Sequence, residues 1–239
     1  MTKITKRLKL IKTDKPVVCV LSGGMDSTVL VYALVNKYGK DNVKAISFNY
    51  GQRHSVELEK AKVTVSKLGI DHKIIDISFV GDIVKDVCSL SADTTVDLPT
   101  NEDSKEDVQA NFVVPYRNLM FQSIALSYAE SLRAEVVYLG IQLDDDFGFW
   151  DCRENYYKQL NKLTVLNDTY KIKVEVPLLH FSKADEIELG NAIGVPFEDT
   201  WTCYKGPDEN GKACGICHSC AGRLNAFKIL GLNDPIQTN

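Results

Sequence analysis

No G-x-G occurs anywhere in the chain, which excludes the dinucleotide fingerprint with its closely spaced glycines after a first strand. No apolar stretch reaches the roughly 20 residues of a membrane span. No secretory hydrophobic region follows the basic first residues before the first predicted strand. A basic excess is also missing. Across 239 residues, 28 Lys and Arg face 32 Asp and Glu, so no global positive field draws in nucleic acid. Seven cysteines, an odd number with four grouped late in the chain, do not make a secreted disulfide framework. A cytoplasmic protein without a membrane anchor is expected. Internal repeats and low-complexity tracts are absent too. The 44% hydrophobic content is ordinary for a globular chain and ample for a core, in one large domain or a domain with an appendage.

What is present begins at Val17-Val18-Cys19-Val20-Leu21, an apolar run of strand length. It breaks into Ser22-Gly23-Gly24-Met25-Asp26-Ser27 and then into helix-like sequence from Thr28 to Val35. Strand, glycine turn and helix present backbone N–H groups and a positive dipole end to an anion. Asp26 and Ser27 suit N-cap duty. An ordinary strand-to-helix turn is the plain alternative. A second glycine-bounded stretch, Gly206 to Ala213, approximates a Walker A loop. It ends in Ala where Mg²⁺ needs a hydroxyl, and no strand precedes it, so it reads as a turn-rich decoy. The basic arm of Lys3, Lys6, Arg7, Lys9, Lys12 and Lys15 reads as a solvated, frayed terminus.

Further strands are predicted at Val43–Tyr50, Lys73–Ile77, Val136–Gly140 and Ile172–Val176, with helices at Val56–Leu68, Leu119–Leu132 and Lys183–Ile193. Alternation of this kind implies βαβ units in an α/β, Rossmann-like parallel sheet with helices on both faces. Ligands then sit at the carboxyl ends of the strands, where Ser22–Ser27, Asn49–His54 and Gln142–Asp146 fall. Residues 79–113 break the rhythm and read as a lid or a disordered insertion within a domain of residues 1–200.

Residues 201–239 hold Cys203, Cys214, Cys217 and Cys220 at C-x10-C-x2-C-x2-C spacing. Four thiolates close a tetrahedral shell and leave no place for water, so a structural zinc in a small C-terminal knot is expected. His218 is the alternative to one sulfur. Few basic residues and no aromatic ladder accompany the knot, which argues against nucleic-acid binding. Cys19 reads as a buried small hydrophobe. Cys88 has no evident partner. Cys152 beside Arg153 is either a structural cysteine or an activated nucleophile.

Read together, these features resemble the N-type ATP pyrophosphatases, or PP-loop enzymes, through S-G-G-x-D-S after the first strand. Phe48 to His54, Val114 to Asn118, Ser182-Lys183-Ala184 and Thr200 to Tyr204, in that order before the knot, narrow the resemblance to the 7-cyano-7-deazaguanine synthase family from about Val17 to Leu230. The resemblance implies an ATP-dependent carbon–nitrogen ligase on the queuosine route. Its substrates would be 7-carboxy-7-deazaguanine, ATP and ammonia, with AMP and pyrophosphate released. It implies that Leu21, Ser22, Gly23, Gly24, Met25, Asp26, Ser27 and Thr28 grip the pyrophosphate, Asp26 orienting the loop or helping to hold Mg²⁺. Arg117 and Lys183 are the candidate cationic phosphate contacts, a surface ion pair being the plain alternative for Arg117. Tyr50, Gln52, Arg53 and His54 would reach nucleotide or base. Asp145, Asp151 and Arg153 would serve the base pocket, an acidic side chain suiting an exocyclic amine. The family also suggests a homodimer.

One stretch departs from the family's usual G-Y-P-D-C-R: this chain reads Gly148-Phe149-Trp150-Asp151-Cys152-Arg153. Trp for Pro changes bulk and backbone restriction, and the missing Tyr hydroxyl removes a hydrogen-bonding group. Three other readings therefore stay open. One is an enzyme that stops at the adenylate or amide, or passes the activated base to an acceptor such as a protein amine. Another is a tRNA-modifying adenylase. The last is a zinc-stabilised scaffold with a vestigial loop.

Overall fold

The computed structural model describes residues 2–52, 55–91, 94, 113–143 and 149–236. Among these, five strands form one parallel sheet in the order β3-β2-β1-β4-β5: β1 Val17–Val20, β2 Val43–Asn49, β3 Asp71–Asp76, β4 Val136–Leu139 and β5 Lys173–Glu175. The expected strands are all present, with bounds shifted by a residue or two. β1 lies at the centre, with Val17 opposite Val43 on one side and Val136 on the other. The chain steps outward through β2 and β3 and then crosses β1 to form β4. The crevice between β1 and β4 is thus the topological switch point where ligands of such sheets bind.

The helices are α1 (Lys3–Arg7), α2 (Met25–Tyr38), α3 (Val56–Leu68), α4 (Phe79–Val84), α5 (Arg117–Ser131), α6 (Glu154–Thr164), α7 (Lys183–Ile193) and α8 (His218–Ile229). Strand side chains alternate between two faces. Val17 and Cys19 of β1 and Val136 and Tyr138 of β4 join one core with residues of α1, α2, α3, α7 and α8. Val18, Val137 and Leu139 join the other with residues of α4, α5 and α6. Cys19 is fully buried, as expected of a small hydrophobe, and burial raises its thiol far above the ordinary range.

One expectation is corrected, and two packing relationships bear on the domain organisation. The basic arm is docked. Thr2 caps α1, Ile4 enters the core, and Arg7 pairs with Asp185 at 2.8 Å while lying 4.5 Å over the Phe181 ring. Beyond α1, Ile11 is held by two tyrosines: its carbonyl accepts from Tyr38 Oη (2.6 Å), and its N–H donates to Tyr138 Oη (3.1 Å). Next, the described start of the 79–113 segment is part of the core, since Val80, Val84 and Cys88 are buried in the second cluster; residues 95–112 lie outside the described residues. Finally, residues on both sides of position 200 share a core. The cysteine knot has its own small cluster around Trp201, but Ala226 and Phe227 of α8 belong to the main core. Gly206–Lys212 is a plain turn, with Gly211 N–H donating to the Asp208 carbonyl (2.9 Å) and Asp208 N–H to the Lys212 carbonyl (2.9 Å).

Candidate active site

The loop after β1 closes on itself. Ser22 N–H donates to Ser27 Oγ (3.2 Å), the two serine hydroxyls lie 3.0 Å apart, and Gly24 N–H donates to Ser22 Oγ (3.2 Å). The N-cap of α2 is Gly24, in extended backbone with no side-chain cap, so Asp26 and Ser27 are first-turn residues and not caps as expected. Ser27 serves the loop instead: its hydroxyl is held by the Gly24 carbonyl and the Ser22 amide. The first-turn amides of α2 keep the orphan donors that every helix start offers, and Gly24 to Ser27 line the cleft.

Gly23 is fixed by two constraints. Its φ is +89°, and a Cβ there would stand 2.0 Å from the Glu57 carbonyl oxygen of α3. Gly140, at the end of β4, lets that strand close on the helix start, where a Cβ would meet Ser27 N at 2.8 Å. From the far end of the chain, Trp201 N–H donates to the Gly23 carbonyl at 3.0 Å.

Asp26 and Lys183 meet across the loop, with Lys183 Nζ 3.0 and 2.9 Å from the two Asp26 oxygens. Ser182 caps α7 in a capping box with Asp185, which fixes Lys183 at the first position of that helix. Burial raises the Asp26 carboxyl, but the Lys183 charge and side-chain hydrogen bonds from Glu186 and Lys183 outweigh it and hold the carboxyl below its ordinary value. Both its oxygens engage Lys183, so of its two expected roles this geometry favours loop orientation.

A cleft opens above the loop. Leu21, Ser22, Gly24, Met25, Asp26 and Ser27 form its floor, and Tyr50, Gln52, Arg117 and Asp151 join from other segments. Arg117 is half-buried, its guanidinium 5.8 Å from the Tyr50 ring centre, which replaces the surface ion pair considered for it. Burial opposes its charge, and Tyr50, Tyr204 and Asp151 more than offset that, so it stays a cation. Gln52 is tied locally, accepting from Tyr50 N–H at 2.9 Å. Gly23 and Thr28 lie beneath the floor and do not line it, and Arg153 is exposed at the N-cap of α6, outside the cleft. Arg53, His54 and Asp145 lie outside the described residues. Cys152 lines the cleft and is half-buried. Trp150 stands edge-on to Tyr116 (5.7 Å) and Tyr156 (5.3 Å).

Sequence reasoning missed part of this wall. Phe48 and Phe121 stack at 4.3 Å, and Trp201, Thr202, Tyr204 and Ser219 bring the cysteine segment into the cleft. The strand-end position of Phe48 was a usable signal; the reach of Ser219 was not.

The ligand atoms of Cys203, Cys214, Cys217 and Cys220 all lie within 4.8 Å of one another, and the Cys214 and Cys220 sulfurs are 3.9 Å apart. A tetrahedral thiolate shell with bonds of about 2.3 Å needs sulfurs roughly 3.8 Å apart, so the cluster fits a structural metal. His218, the first residue of α8, is not part of it.

No helix among the described residues is long and apolar enough to cross a membrane. The U34-tRNA thiolase NcsA from Methanococcus maripaludis shares the fold, with a TM-score of 0.52 and 20% identity over 95% of this chain and 69% of that one. The 7-cyano-7-deazaguanine synthase of Caldicellulosiruptor saccharolyticus is 40% identical over 221 residues, 92% of this chain and 94% of the relative. That of Thermoplasma acidophilum is 39% identical over 230 residues, 93% and 92% of the two chains. The family described as queuosine biosynthesis protein QueC matches residues 16–231. With the strand order, loop and cysteine cluster in place beside these matches, the chain belongs to the QueC family of 7-cyano-7-deazaguanine synthases.

Proposed function

We propose that the protein converts 7-carboxy-7-deazaguanine and ammonia to 7-cyano-7-deazaguanine at the expense of ATP. The observation that carries this reading is that Ser22, Gly24–Ser27, Arg117 and Asp151 line one cleft at the sheet's switch point. A carboxylate resists ammonia because oxide would have to leave. Its oxygen therefore attacks the α-phosphorus of ATP, pyrophosphate departs, and AMP becomes the leaving group. Ammonia attacks the carbonyl carbon, loses a proton and expels AMP to give the amide. The amide oxygen then takes AMP from a second ATP, and loss of that AMP with the nitrogen's remaining protons leaves the nitrile.

The chain's part is positioning and charge. First-turn amides of α2 and the Ser22 and Ser27 hydroxyls receive the departing pyrophosphate, Arg117 and Lys183 neutralise it, and Asp26 orients Lys183. Mg²⁺ accompanies the triphosphate. Asp151 serves the base, and Tyr50 and Gln52 border the nucleotide. The four cysteines hold zinc, which ties the knot and takes no part in the steps. The protein works in the cytoplasm as a homodimer.

Incubation with 7-carboxy-7-deazaguanine, ATP, Mg²⁺ and ammonia, read by mass spectrometry, tests this. The nitrile is expected. AMP formed without nitrile would favour the second reading, an enzyme that stops at adenylate or amide or hands the base to a protein amine. That reading draws on Phe149, Asp151 and Cys152 in the cleft wall with Trp150 beside them.

A further inference from the structure

Lys183 stands at the first position of α7, where the positive end of a helix disfavours a cation. Asp185 and Glu186 in the same turn offset this, yet the position of the turn depends on the connection before it. That connection, from β5 to α7, is closed by Leu179 N–H on the Val176 carbonyl (3.0 Å) and Phe181 N–H on the Leu178 carbonyl (2.8 Å). Phe181 holds it from inside the main core. From outside, one side chain spans it. Arg7 Nη1 pairs with Asp185 Oδ1 at 2.8 Å, Nη2 donates to the His180 carbonyl, and the guanidinium lies over the Phe181 ring. The other Asp185 oxygen accepts from Ser182 N–H and from the Ser182 hydroxyl, both at 2.9 Å. Arg7 thus grips residues on both sides of the cap, Ser182, and Lys183 is the next residue. A planar fork suits two acceptors at fixed spacing in a way that an ammonium does not.

The segment that carries Arg7 is anchored on both sides of it. Ile4 is buried in the main core, Leu8 and Leu10 pack against that core, and Ile11 bonds to Tyr38 and Tyr138. The family match begins at residue 16, so Arg7 comes from sequence ahead of the matched span. The Arg7 and Asp185 side chains are 45% and 25% exposed, and ion pairs so open add little to stability. What such a clamp supplies is geometry.

We infer that Arg7 is a positioning residue for the use of ATP: it clamps the turn that launches α7 and so sets the reach of Lys183 toward Asp26 and the nucleotide loop. It acts through Lys183, whose Nζ lies 3.0 and 2.9 Å from the Asp26 oxygens, and it touches no reacting atom. The N-terminal segment is thereby a working part of the nucleotide site. The inference rests on the reading above that Lys183 serves the phosphates.

The test is a double-mutant cycle in the full-length protein: Arg7→Met, Lys183→Met and the two combined, with Arg7→Lys beside them. KM for ATP, KM for the deazaguanine acid and kcat are measured well below every variant's melting temperature, so that a loss of stability alone moves none of them. Arg7→Met is expected to raise KM for ATP about threefold and to leave KM for the acid unchanged. Arg7→Lys, which keeps the charge and loses the fork, should fall between Arg7→Met and wild type. Lys183→Met should raise KM for ATP further, and the combined variant should be no worse than Lys183→Met alone, because Arg7 has nothing left to position. Wild-type KM for ATP in Arg7→Met beside a weakened Lys183→Met would overturn the inference. So would losses that multiply in the combined variant, or equal rises in KM for both substrates. Wild-type KM for ATP in Lys183→Met would instead overturn the phosphate reading beneath it. Should Arg7→Met not fold, Arg7→Lys carries the same cycle; failure of both to fold would make Arg7 a stability residue and would also overturn the inference.

Discussion

Trp201 N–H donates to the Gly23 carbonyl at 3.0 Å, while the Trp201 indole N–H donates to the Cys203 carbonyl at 3.0 Å. One residue thus joins the cysteine cluster to the nucleotide loop. Removing the metal, by chelation or by Cys214→Ser, is expected to loosen that loop as well as the knot. Hydrogen exchange of residues 22–28 should accelerate and KM for ATP should rise. Unchanged exchange in the loop, with the knot plainly opened, would show that the two are uncoupled.

Gly23→Ala meets both a positive φ and the Glu57 carbonyl 2.0 Å from its new Cβ. The left-handed backbone alone costs about 1–2 kcal/mol, and the clash adds to it. Denaturant unfolding should show a loss above that figure together with near-complete loss of activity.

Arg223 and Asp234 form an ion pair at 2.8 Å with side chains 1% and 0% exposed, and Arg223 also donates to Thr200 and Thr202 hydroxyls. Arg223→Met leaves Asp234 buried without its cation, a loss of roughly 3–5 kcal/mol. Urea unfolding reads it directly; a change below about 1 kcal/mol would show that water replaces the guanidinium.

Glu186 is a carboxyl whose folded-state value is raised well above the ordinary 4.5. Its contribution is therefore fully present below that value and is lost as pH rises toward the folded one, because folding must take up a proton. Above about pH 5, Glu186→Gln should remove a fall in stability that the wild type shows as pH rises toward the folded-state value. Asp26 has the opposite sign: its lowered value stabilises the fold above about pH 4 and is lost only in stronger acid. Unfolding free energies over pH 4–8 for wild type and Glu186→Gln separate the two.

Trp150→Pro restores the family's usual residue beside Asp151. With its contacts to Tyr116 and Tyr156 gone, KM for the deazaguanine acid should change several-fold while KM for ATP stays put. Equal shifts in both would place Trp150 outside base recognition.

The parts that were legible in sequence are those written locally. An apolar run ending in Gly23 and Gly24, and a short C-x2-C spacing, carry their geometry within a few residues. Val56–Leu68 and Lys183–Ile193 coincide with α3 and α7 because their apolar spacing and caps agree. What escaped is contact between distant segments. Arg7 reads as a solvated cation until Asp185 and Phe181 stand beside it. Nothing local in the predicted Lys183–Ile193 helix signals that Glu186 is buried. Asp26 resembles a cap by residue type, but the extended backbone that defines a cap falls on Gly24.

The reach of Trp201 back to Gly23 also orders events during synthesis. β1, the loop and α2 leave the ribosome early and can pair with β2, but the bond that fastens Gly23 comes from a segment made much later. Until Trp201 and the cysteines have emerged, the nascent loop lacks its last restraint, so nucleotide capture waits for the chain to pass the cysteine knot. A ribosome stalled before Trp201 should carry the sheet's first strands and bind ATP poorly.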